Sequence, residues 1–130
     1  MDYNILELFI KENHAWDHMI NRQRVELPQL DAMISNSFEE GRGKLRDQSV
    51  RVLHHLKKGM EEQRQSMDEV ARELASQQAK LTAARDRKTE IELYSTQTLN
   101  NQNVLRSRIR DIEKKFVELK CNYFNYVATI

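Results

Sequence analysis

Residues 53–84 read LHHLKKGMEEQRQSMDEVARELASQQAKLTAA. Within them Leu53, Leu56, Met60, Gln63, Met67, Val70, Leu74, Gln77, Leu81 and Ala84 follow one another in alternating steps of three and four. Such steps average 3.5 residues, the period at which a helix keeps one stripe turned toward a partner helix. The same phase continues through Lys88, Ile91, Ser95 and Thr98 into Gln102, Leu105, Ile109, Ile112, Phe116, Leu119, Tyr123, Tyr126 and Ile130. Helix packed on helix is therefore the expectation for most of the chain.

Composition agrees. The 130 residues are 39% hydrophobic and 32% charged, with a mean hydropathy of −0.77. That mixture suits thin helical bundles, in which each helix buries only a stripe. Three Gly and one Pro leave little material for the turns of an all-β or α/β fold. The regular seam argues against disorder, and the length suits one module.

The first segment repeats the pattern in its own register, through Leu6, Phe9, Asn13, Trp16, Ile20, Gln23, Leu27, Leu30 and Ile34. Asn4, three residues ahead of Glu7, is placed to cap its start. Pro28 falls inside it and predicts a kink in preference to a restart, because the apolar phase is the same on both sides. Ser35-Asn36-Ser37 followed by Gly41 and Gly43 predicts a loop over 39–44. Ile34 and Leu53 lie 19 residues apart, not a multiple of seven, so the two seams are out of phase.

The second boundary carries no Gly or Pro. Lys88 on the seam is costly to bury, and Thr89 with Glu92 fits a capping box, so a turn is expected at 84–89. The resulting single helical module, residues 1–130, has helices at about 4–38, 45–84 and 89–128. It is all-α, an antiparallel three-helix bundle of long helices. A long coiled coil or helical-hairpin dimer is the alternative, supported by the unbroken phase across the expected turn. In the bundle Leu30, Ile34 and Phe38 share an end with Tyr123, Phe124 and Tyr126, and Phe9 and Trp16 meet Met67 through Leu81 together with Tyr94. Gly59 marks close helix approach.

Net charge is +1, which sets up no global field toward nucleic acid or an anionic membrane. Locally, residues 1–40 carry −5 (eight acids, three bases) and the remainder +6 (18 bases, 12 acids). An acidic first helix lying on basic later ones accounts for the asymmetry. Arg42, Lys44, Arg46, Arg51, Lys57 and Lys58 form a basic run that could sit on phosphates, and Arg106, Arg108 and Arg110 form a smaller cluster. Aromatic side chains for base stacking are absent from 42–58, so nucleic acid is the lesser expectation.

His14 and His18 share one helix face at the spacing of a zinc pair, but the general-base Glu of zinc proteases is missing and two ligands half-fill a shell. Solvated histidines are the simpler reading, and no metal or cofactor is expected. His54 and His55 are adjacent and cannot chelate together. Cys121 is the single cysteine, so no intrachain disulfide forms. Gly41-Arg42-Gly43-Lys44 lacks the spacing of a phosphate-binding loop. No enzyme activity or small-molecule substrate is expected. The N-terminus lacks a secretory pattern, and no stretch approaches the roughly 20 apolar residues of a membrane span, so a cytoplasmic location is expected.

Phe116, Tyr123, Phe124 and Tyr126 fall within 11 residues. Helix 1 or a partner must cover them, and Tyr123, Phe124 and Tyr126 are the expected partner contacts. The function expected is a non-enzymatic protein–protein interaction or scaffold module, binding a protein partner or its own copy. Phosphate-backbone binding through 42–58 is the alternative.

Lys11-Glu12-Asn13-His14-Ala15-Trp16 and the stretch from Leu105 to Tyr126, LRSRIRDIEKKFVELKCNYFNY, resemble a group of uncharacterised small all-helical, coiled-coil-like proteins of Bacteroidota-type bacteria. The resemblance covers the two ends of the chain. It implies a cytoplasmic all-helical fold and brings no activity or ligand.

Overall fold

The computed structural model describes residues 3–40, 47–87 and 96–129, with the side chains of Phe38 and of a few residues at the helix ends left out. These residues form three helices, α1 (Tyr3–Glu40), α2 (Asp47–Arg87) and α3 (Thr96–Thr129). At 38, 41 and 34 residues they are matched rods of about 50–60 Å. The expected loop at 39–44 falls mostly on residues 41–46, and the expected start of the third helix near 89 falls on 88–95; both lie outside the described residues. Tyr94 lies there too. Asn4 lies inside α1 and not ahead of it.

Cross-helix contacts define the topology. Glu7, His14, Arg24 and Asp31 of α1 meet Arg85, Gln78, Asp68 and Lys57 of α2, so these helices are antiparallel. Gln63 and Gln77 of α2 meet the backbone carbonyls of Ile112 and Thr98, again antiparallel. Glu12, Glu26 and Met33 of α1 meet Arg106, Lys120 and Tyr123 of α3, which therefore runs parallel to α1. The chain is an antiparallel three-helix bundle.

The seam explains the core. Every seam position from Leu53 to Ala84 is buried, and so is every one from Gln102 to Tyr126. On α1 the stripe holds at Leu6, Asn13, Ile20, Gln23, Leu27, Leu30 and Ile34. Phe9 and Trp16 sit half-buried at its edge, while Ile10 and Met19 take the central places. Trp16 packs on the main core, and the Arg106 guanidinium lies 6.0 Å from its ring centroid on the α3 side.

Pro28 does not restart α1; the helix runs through it. Pro28 is exposed. There the carbonyl one turn earlier, which loses its donor, can be solvated. Gly59 marks a close crossing, as expected: a Cβ there would stand 2.7 Å from Leu119 Cδ2.

One layer of the core is polar and spans all three helices. Gln102 Nε2 donates to Asn13 Oδ1 at 2.7 Å and to Glu12 Oε1 at 2.8 Å. Gln77 Nε2 lies 3.4 Å from Gln102 Oε1 and 3.2 Å from the Thr98 carbonyl. Glu12 is gripped in turn by Arg106 through Nη2 at 2.7 Å and Nε at 3.0 Å. Its carboxylate holds the Arg106 guanidinium above arginine's already high range. The layer divides the apolar core. On one side lies the main cluster, from Met19 to Ile34 with its partners on α2 and α3; on the other lies a small one of Leu6, Ile10, Leu81 and Ala84 with Phe9 against it.

Gln102 is fully buried at the centre of this network. Replacing it with Ala leaves Asn13 and Gln77 short of partners, and a loss of about 1–3 kcal/mol in urea unfolding is expected. Leu at 13, 77 and 102 together removes the polar groups as a set, and its stability should equal or exceed that of the parent in the same assay.

Candidate functional site

The aromatic end of α3 follows from helical geometry. Phe116, Leu119, Tyr123 and Tyr126 continue the buried stripe, whereas Phe124 lies about 100° round the helix from Tyr123. Tyr123 is 4% exposed and Tyr126 7%, both within the main core. The Tyr123 hydroxyl lies 3.0 Å from Ser37 Oγ and donates to the Met33 carbonyl at 3.3 Å, tying this end of α3 to α1. Leu30 and Ile34 belong to the same cluster as Tyr123 and Tyr126, as expected, whereas Phe124 lies outside it and the side chain of Phe38 lies outside the described residues. Two of the three expected contact residues are thus taken up by the core, Tyr123 against α1 and Tyr126 beside Val52 and Leu56 of α2. Phe124 alone stays outward, 52% exposed, with its ring stacked on Tyr123 at 5.8 Å and 7°.

Phe124 has apolar company. Val117 and Val127 are exposed on α3, and with Lys120 and Phe124 they form a second, short series in 3-4 steps beside the buried seam. Lys120 marks which side this is. Its Nζ lies 3.1 Å from Glu26 Oε2 on α1 and 5.2 Å from the Phe116 ring centroid. Exposed Met33 of α1 is carried on the turn that meets Tyr123. The result is a strip along the α1–α3 flank, where the two backbones approach less closely than in the other helix pairs.

The basic run does not form one continuous track among the described residues. Arg42, Lys44 and Arg46 lie outside them. Arg51 and Lys58 are exposed, seven residues apart on one face of α2. Lys57 is turned toward α1, donating to Ser35 Oγ at 2.6 Å and standing 3.6 Å from Asp31. Arg51 and His55 edge a shallow groove of about 500 Å³ between α2 and α3, floored by Val52, Leu56 and Tyr126. Arg108 of the smaller cluster is held by Glu69 and Glu73 of α2.

His14 and His18 are both exposed on α1. His14 Nε2 lies 3.2 Å from Gln78 Nε2 of α2. No three His, Cys, Asp or Glu among the described residues are grouped to hold a metal. Cys121 is exposed.

A groove of about 560 Å³ opens between α1 and α2 beside Pro28, above Leu27, Met60 and Met67. No sequence signal pointed to it. Six charges rim it, and they satisfy one another: Arg24 with Asp68 at 2.8 Å, Lys57 with Asp31, and Arg64 with Glu61 at 2.5 Å and Asp68 at 3.1 Å. Hydrogen bonding from Arg64 holds the Glu61 carboxyl below the usual carboxylate range. The small stabilisation this brings is present above the ordinary glutamate range and is lost as pH falls through the depressed value. Three cations balanced by three anions leave no net field to select an ion of either sign.

No helix among the described residues is long and apolar enough to cross a membrane. No family model, curated protein or solved structure matches the chain.

The two neighbouring aromatics separate by their environments. Tyr123→Phe should cost about 1 kcal/mol in chemical denaturation, through its lost bonds to Ser37 and Met33. Phe124→Ser should cost less than Tyr123→Ser, because half of its ring already meets water.

Proposed function

We propose that this chain is a non-enzymatic, cytoplasmic interaction module that docks an α-helix of a protein partner, or of its own copy, along the α1–α3 flank. The observation that carries the reading is Phe124, a half-exposed ring stacked on a buried one. A pre-set aromatic costs little conformational entropy to bury, and aromatic anchors of this kind dominate binding energies where they occur. Val117 and Val127 extend the apolar area by two turns, enough for a partner side chain at each 3-4 step. The Glu26–Lys120 pair supplies a polar edge that discriminates between orientations of an incoming helix.

The Phe124 strip also fits the fold's economy. A three-helix bundle of thin helices leaves one flank of each helix pair open to a fourth, and the α1–α3 flank carries the exposed aromatic. Phosphate binding through residues 42–58 has less support, since Lys57 already answers Asp31 and Ser35. No cofactor, metal or small-molecule substrate belongs to the proposed role.

Phe124→Asp tests it. The variant should keep its helicity and melting temperature to within a few degrees, yet lose any self-association seen by sedimentation and any partner cross-linked through a photoreactive group at residue 128. Unchanged association in the folded variant would remove the reading.

A further inference from the structure

Ion pairs lace each pair of helices together. Arg24 and Lys57 tie α2 to α1, Arg106 and Lys120 tie α3 to α1, and Arg108 ties α3 to α2. From Arg51 to Glu62, among the described residues, no such ion pair joins α2 to α3. There the shallow groove of about 500 Å³ runs on past His55, Leu56 and Asn122 into a narrower one of about 120 Å³ over Gly59 and Leu119. The two make one channel along about 17 Å of helix, or three turns. Its floor is apolar, formed by Val52, Leu56, Leu119 and Tyr126. Its rims differ. On α2, Arg51, His55 and Lys58 follow in steps of four and three, which sets all three along one edge. The facing rim of the wide part is Asn122 and Asn125, and no carboxylate lines that part. Glu62 and Glu118 enter only in the narrow part, with Lys58 and Lys115. Among the described residues no ion pair engages Arg51, Lys58 or Lys115. The groove beside Pro28, by contrast, matches each of its cations with an acid.

We propose that this channel docks an amphipathic helix of another protein, one that carries Asp or Glu along a single edge of its apolar stripe. Apolar side chains at 3-4 steps settle on Val52, Leu56 and Tyr126. Arg51 and Lys58 stand about 10 Å apart along α2, so acids seven residues apart on the incoming helix meet both. The Arg51 guanidinium holds a carboxylate through two parallel N–H groups, and Lys58 holds one as a point charge. Asn122 and Asn125 donate and accept alike, and so favour neither sign on the opposite edge. A helix laid in the reverse direction turns its acids to the amides and away from the cations, so charge fixes its direction. A nucleic-acid backbone fits less well, because the floor is apolar and Glu62 and Glu118 repel phosphates at the narrow end. The Phe124 strip lies on the α1 side of α3 and this channel on the α2 side, so α3 serves a partner on each.

The test uses the full chain carrying Phe124→Asp, so that docking on the α1–α3 flank contributes nothing and its failure leaves the channel untouched. A phage-displayed library of helical peptides of about 20 residues, with Leu fixed at 3-4 steps and the flanking positions randomised, is selected against it. Enriched peptides should gather Asp and Glu on one edge of the Leu stripe. The best of them, made synthetically, is followed by fluorescence anisotropy. It should bind about tenfold more weakly when the chain also carries Arg51→Glu with Lys58→Glu. A peptide with Lys in place of those acids should show the opposite preference. Helicity should survive the charge reversal, since neither cation has an ion pair to lose. If it does not, Arg51→Gln with Lys58→Gln should give a several-fold loss in the same titration. An empty selection, peptides without an acidic edge, or equal binding to the altered chains overturns the proposal. So does a dimer of the Phe124→Asp chain that the charge reversal abolishes in sedimentation, which assigns the channel to a second copy. Retention of a single-stranded RNA abolished by the same reversal overturns it too, in favour of phosphate.

Discussion

Helices of 34 to 41 residues hold their shape in water here because each lays one apolar stripe against two others. Isolated helices gain little from backbone hydrogen bonds alone, since water offers the same groups comparable partners. The stabilisation comes from taking side chains such as Leu53, Met67, Ile109 and Phe116 out of water together. Everything else in the molecule is arranged around that constraint. Gly59 is small where α2 must come close to Leu119, and Pro28 sits on the solvent side of α1 where a missing hydrogen bond matters least.

An apolar stripe alone does not say which helix lies beside which, or in what register. Leucine-like side chains slide past one another with small penalties, whereas a buried amide loses a partner when its neighbour moves. Gln102 meets Asn13 and Glu12 from α1 and Gln77 from α2. Making these contacts together requires the parallel α1–α3 and antiparallel α2–α3 arrangement at one register. Gln63, donating to the Ile112 carbonyl at 2.8 Å, repeats the device further along the α2–α3 seam. The ion pairs outside the core, such as Arg24 with Asp68, are solvent-exposed and contribute little stability, but they penalise the wrong neighbour. The acidic first helix and the basic later ones meet in such pairs, through Glu7, Glu12, Glu26 and Asp31.

Much of the architecture is legible in residues 53–84 and 102–126, where each seam position is in fact buried. Legibility fails on α1 at Phe9 and Trp16. A strict 3.5 repeat places both rings inside, whereas in the bundle they stay half-buried at the edge and Ile10 and Met19 are buried beside the stripe. The aromatic end was legible as a cluster but not as a surface. Whether Tyr123 and Tyr126 face solvent depends on how α1 and α2 lie against this end of α3, and that is a property of the assembly and not of one helix. The groove beside Pro28 had no signature in the sequence, because its walls come from separate helices.

Period and phase belong to the chain itself: they set helices as the structure, a stripe as the buried surface, and a seam that returns to the same face in α2 and α3. They do so because a side chain's direction along a helix depends only on its position in the count. Contact between distant parts belongs to the assembled bundle. That α1 lies parallel to α3, that Tyr126 is covered while Phe124 is not, and that Lys57 answers Asp31 all depend on which side of each helix its neighbours occupy. No spacing within a single helix encodes that side; buried amides and packed rings select it only once three helices meet.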